Sequence, residues 1–125
     1  MSVAFCCTHF LWAQTPQLLK VRKHFENNQH AIINEFVSLL AIPNIVGDSV
    51  NIRRNADFIM NAMTKRGIQN VQLLFPTNNK SVPAVYGEVM VPGATQTIIF
   101  YAHYDGQPVI PSQWAKGLSP FTPVL

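Results

Sequence analysis

The sequence predicts an α/β fold, two amino-terminal helices followed by a mixed sheet, and three observations carry that expectation. Apolar residues recur at intervals close to the helical period from Leu18 to Leu40 and again from Ile52 to Met63, as in helices with one covered face. From Val71 onward the pattern changes to short runs rich in β-branched and aromatic residues, separated by Pro, Gly and Asn. The 125 residues, 48% of them apolar, suit a single domain with a modest core.

Thr15 followed by Pro16 is a helix start: the hydroxyl can accept from a free backbone N–H, and proline lacks only a donor that would have had no partner. Leu18, Val21, Phe25, Ile32, Ile33, Phe36, Val37 and Leu40 continue the helix, a polar interruption at Asn27–His30 offers a place to bend, and Pro43 stops it. His24 and His30 lie six residues apart, whereas ligands on one helical face stand three or four apart, so both read as solvated.

Asp48 or Ser49 can cap a second helix whose apolar face is Ile52, Ala56, Ile59, Met60 and Met63. Lys65 and Arg66 suit its negative end, and Gly67 terminates it. Arg53 and Arg54 read as a solvated face. Val71–Phe75 and Val82–Val91, joined by the turn cluster Pro76–Lys80, read as neighbouring antiparallel strands. Thr97–Ala102 (TIIFYA) is almost continuously apolar, which predicts a central strand covered on both faces. The last twenty residues, from Gly106, contain four prolines and two glycines and predict little regular structure.

Charge is sparse: nine Lys plus Arg and six Asp plus Glu, 12% of the chain, with a net charge of +3. So apolar a chain is not intrinsically disordered, and its cations form no basic stripe, which argues against nucleic acid as a partner. Val3–Ala13 is too short to span a membrane, which takes about 20 residues, but it has the length of a signal-peptide core. Ala13 suits the position before a cleavage site. Residues 1–13 are therefore read as a signal peptide and the protein as secreted or periplasmic, although no cation precedes the run; a cytoplasmic protein is the alternative. Cys6 and Cys7 both lie within it, so a chain cleaved there has no disulfide.

The stretch that points to chemistry is Tyr101-Ala102-His103-Tyr104-Asp105-Gly106-Gln107-Pro108, at the carboxyl end of the apolar run, where open α/β sheets bind ligands. Side chains alternate along a strand, so His103 and Asp105 project to one side. Imidazole is a common zinc ligand, and a carboxylate on its other nitrogen sets tautomer and basicity. Taken by itself, a His-x-Asp is more often simply a hydrogen-bonded pair.

The stretch TIIFYAHYDGQPVIPSQWAKGLSPFTPVL resembles the dinuclear zinc exopeptidases and amidohydrolases, the family of glutamate carboxypeptidase, desuccinylases, aminoacylases and carnosine dipeptidase. Upstream, IINEFVSLLAIPNIVGD, the helix ending Lys65-Arg66-Gly67, and the VQLL and PAVYGEV strands are similar in order to that family's catalytic domain, so the likeness covers residues 17–125. The resemblance implies that His103 is a zinc ligand and Asp105 the catalytic-site carboxylate that supports it. It implies two zinc ions in the complete enzyme, a peptide or N-acyl amino acid as substrate, and is compatible with a homodimer. Gly106 stands where an apolar residue such as valine is usual, and Ser119 where aspartate often precedes Pro-Phe.

A zinc pair needs more ligands and hydrolysis needs a base, yet Gly106–Leu125 contains no Asp, Glu, His or Cys. In the family these groups follow the point reached by Leu125. The sequence is therefore read as an incomplete portion of a zinc-peptidase catalytic domain, residues 14–125 after the signal peptide, inactive alone. The competing expectation is a small non-catalytic α/β binding module.

Overall fold

The structure, a computed structural model, describes residues 15–78 and 82–125. The proposed signal peptide, with Cys6 and Cys7, lies outside the described residues. The chain divides into two compact units, Met1–Asn34 and Glu35–Leu125.

Helix α1 (Pro16–Leu40) starts where the sequence signals it: the Leu18 N–H donates to Thr15 Oγ1 at 3.4 Å. It runs unbroken through the polar interruption, where Asn28 Nδ2 donates to the His24 carbonyl at 2.8 Å. None of its residues is buried, and Leu19, Phe25 and Phe36 are all more than half exposed. Its apolar stripe has the period of a packed helix, but packing needs a covering surface as well as a stripe.

Helix α2 (Ser49–Lys65) is capped by Asp48, whose Oδ1 accepts from the Asn51 N–H at 3.0 Å. Gly67 follows its end with φ +74°, the left-handed conformation that suits glycine. Strands β1 (Gln69–Leu74) and β2 (Ala84–Glu88) form a two-stranded antiparallel sheet, with Leu73 opposite Val85 and Leu74 opposite Ala84. An irregularity between Gln69 and Gln72 coincides with a positive φ at Asn70. Helix α2 lies against both strands. Gly87 permits that approach, since a Cβ there would sit 2.5 Å from Met63 Cε. The core is small: Ile52, Ala56 and Pro83 are buried, together with Asn55.

Three expectations are corrected. Among the described residues the sheet is a two-stranded antiparallel pair, not a mixed sheet, and β2 ends at Glu88, short of Val91. Thr97–Ala102 belongs to no strand: Ile98, Ile99, Phe100 and Tyr101 are 75, 86, 92 and 80% exposed. A β-branched run becomes a strand only by sharing hydrogen bonds with a neighbouring edge, and none of the described segments lies alongside this one. Parallel pairing occurs just after it, as an isolated bridge between Ile45 and Gly106.

Candidate functional site

The site is built on the loop between α1 and α2. Gly106 N–H donates to the Asn44 carbonyl at 2.7 Å, the Val46 N–H donates to the Gly106 carbonyl at 2.9 Å, and Asn44 Nδ2 donates to the Tyr104 carbonyl at 3.2 Å. Those bonds fix the backbone of Tyr104–Gly106 against residues 44–46. Asn44 approaches closely at 106, where a Cβ would lie 2.9 Å from its Oδ1. The departure from valine noted in the sequence thus coincides with a close approach.

Along the fixed segment side chains alternate as the sequence predicts. Tyr104 points one way, its hydroxyl donating to the carbonyl of buried Pro83, and burial holds its phenol above the usual value. Tyr101, His103 and Asp105 share the other side. His103 Nδ1 and Asp105 Oδ1 are 3.0 Å apart, and His103 Nε2 lies 3.2 Å from the Tyr101 hydroxyl. A carboxylate only accepts, so the shared proton belongs on Nδ1, and in the neutral ring Nε2 is then the acceptor and Tyr101 the donor. The hydrogen bond from His103 holds Asp105 below the ordinary carboxylate value of 3.8, in its ionised form.

Sequence reasoning placed His103 and Asp105 together, and the structure brings them together. It missed Tyr101, whose signal was the same alternation carried one step further. No protein-family model, curated protein or solved structure matches the chain.

Beside His103 lies a cavity of about 540 Å³, within the size range of ligand sites. Its walls include Leu39, Ile59, Trp114, Leu118 and Phe121, and no Asp, Glu, Lys or Arg lines it. Among the described residues no group of three or more His, Cys, Asp and Glu is assembled. A catalytic zinc takes about three protein ligands plus water. Among the described residues the site offers one imidazole, His103, with one carboxylate, Asp105, beside it, fewer donors than such a metal takes.

The other groups singled out in the sequence are elsewhere engaged. Arg53 donates to Asp57 at 2.9 Å and Arg54 to Asn51 at 2.8 Å along the exposed face of α2. His24 and His30 are exposed on α1.

Proposed function

We propose that the chain forms the amino-terminal part of the catalytic domain of a zinc-dependent hydrolase of peptide or amide bonds, of dipeptidase or carboxypeptidase type. The observation that carries this reading is the oriented imidazole, with Nδ1 held by Asp105 at 3.0 Å and Nε2, 3.2 Å from the Tyr101 hydroxyl, as the basic nitrogen. His103 would hold the metal, and Asp105 would fix the tautomer that lets it do so. When bound, zinc would polarise the scissile carbonyl and lower the pKa of its water to about 7. The uncharged cavity beside His103 would receive the uncharged part of a peptide or N-acyl amino acid. Further ligands, a second zinc and a general base belong, on this reading, to sequence beyond Leu125.

The test is metal dependence. The product of the complete reading frame is expected to hydrolyse dipeptides or N-acyl amino acids, to lose that activity on chelation, and to regain it with zinc. Residues 14–125 alone, without Cys6, Cys7 and His9, are expected to bind no stoichiometric zinc at micromolar concentration. Tight one-to-one zinc binding by residues 14–125 alone, or chelator-insensitive hydrolysis by the complete product, contradicts the proposal. The same cavity also favours a second reading, a non-catalytic α/β binding module, which predicts ligand binding with no hydrolysis in the complete product.

Export is proposed from the sequence of residues 1–13. Amino-terminal sequencing of secreted protein is expected to begin near Gln14, and an intact terminus on cytosolic protein contradicts export.

A further inference from the structure

Two asparagines connect the core to the candidate site. Asn55 is only 2% exposed, which is unusual for a polar side chain on a helix. Its Nδ2 donates to the Pro43 carbonyl at 2.8 Å and to the Asn51 carbonyl at 2.9 Å, so one amide joins α2 to the loop that follows α1. The residue after Pro43 is Asn44, whose Nδ2 holds the Tyr104 carbonyl at 3.2 Å and whose own carbonyl accepts from the Gly106 N–H at 2.7 Å. Tyr104 stands between His103 and Asp105. The two side chains that must meet, His103 exposed and Asp105 half-buried, are therefore carried on a backbone held through the Pro43–Ile45 loop by a buried amide.

We infer that Asn55 and Asn44 are positioning residues for the His103–Asp105 pair, acting through the Pro43–Ile45 loop. The imidazole's hydrogen bonds are to Tyr101 and Asp105, not to either asparagine. An exposed His-x-Asp on an untethered segment would lose its hydrogen bond to water and side-chain freedom. Fixing the Tyr104 carbonyl and the Gly106 amide removes backbone freedom between the two residues before the side chains meet. The importance of this for activity rests on the reading of His103 as a metal ligand, whereas the positioning itself does not.

The test is the tautomer of His103 in the zinc-free 125-residue chain, read by ¹⁵N NMR of the imidazoles in basic solution. His103→Gln assigns the resonance among the four histidines. The wild-type chain is expected to show His103 mainly as the Nδ1–H form. Asn55→Asp keeps the shape but removes the donor to Pro43, and Asn44→Asp removes the donor to Tyr104. Each is expected to turn the Nδ1–H form from the majority into the minority while far-UV circular dichroism still shows the helices. Ile52→Val loosens the same core without touching these bonds and is expected to leave the tautomer unchanged.

If Asn55→Asp does not fold, Asn44→Asp, in the loop, decides the matter. An unchanged tautomer in folded Asn44→Asp, or an equal change in Ile52→Val, overturns the inference. Loss of zinc-dependent hydrolysis as a property of the complete product would refute the proposed function and leave this result standing.

Discussion

Replacing Phe100 by lysine separates an uncovered segment from a buried strand. Phe100 is 92% exposed and Ile99 86%, in a run with no partner strand among the described residues. Burying a phenylalanine fully is worth about 1.5–3 kcal/mol, so a residue keeping nine-tenths of its surface in water has only a few tenths of a kcal/mol to lose. Phe100→Lys should therefore shift the urea-unfolding free energy of the 125-residue chain by less than about 0.5 kcal/mol, the scale of an ordinary surface change. In a covered central strand the loss would be at least the roughly 3–5 kcal/mol measured for truncating a buried phenylalanine. TIIFYA is also uncharged and free of proline, the composition of an aggregation-prone segment, and a lysine within it should act as a gatekeeper. The assay is urea unfolding followed by circular dichroism, with hydrophobic-dye fluorescence and sedimentation on the same samples. The expected outcome is unchanged unfolding, weaker dye binding and less association. A loss of more than about 2 kcal/mol would refute the reasoning, because it would mean that the segment is covered within this chain.

Three further perturbations address the core, the site backbone and the charge pairs. Ile52→Ala truncates one of the largest fully buried side chains, 1% exposed, and is expected to cost about 2–5 kcal/mol in the same urea assay. Gly106→Ala forces a Cβ to within 2.9 Å of Asn44 Oδ1, so amide exchange at Gly106 and Val46 should accelerate as the bridge opens, while α2 exchange stays as it was. Arg66 makes two hydrogen bonds to Glu35, at 2.9 and 2.8 Å, and these hold Glu35 below the ordinary value of 4.5. A depressed carboxylate stabilises the folded state above that value and loses its contribution as pH falls through the folded-state pKa, so the thermal midpoint should fall below about pH 4.5. Glu35→Gln should flatten that part of the profile.

What was legible in the sequence was local. Thr15–Pro16 and Asp48 act on N–H groups within three residues of themselves, and Gly67 supplies its own positive φ, so both helices and their ends could be read from neighbours in the chain. The strands β1 and β2 are consecutive in the chain and their pairing was legible for the same reason. His103 with Asp105 required only the two-residue alternation of an extended chain. What escaped depends on partners far along the chain. TIIFYA has the composition of a central strand, but pairing needs an edge that composition cannot reveal. Asn44 meets Tyr104 across sixty residues and Asn55 meets Pro43 across twelve, and neither asparagine stands out in a loop or on a helix. Gly106 looked like a departure from a familiar pattern, and its reason appears only with Asn44 beside it.

The central claim, that His103 binds metal and Asp105 orients it, is tested most directly by comparing His103→Ala and Asp105→Ala in the product of the complete reading frame, with zinc content and hydrolysis measured on the same preparations. Removing a ligand should abolish hydrolysis and lower bound zinc. Removing the orienting carboxylate should weaken zinc affinity or activity by roughly 10- to 100-fold, the usual scale for a group that acts through a ligand. Full zinc content and wild-type hydrolysis in His103→Ala would contradict the account.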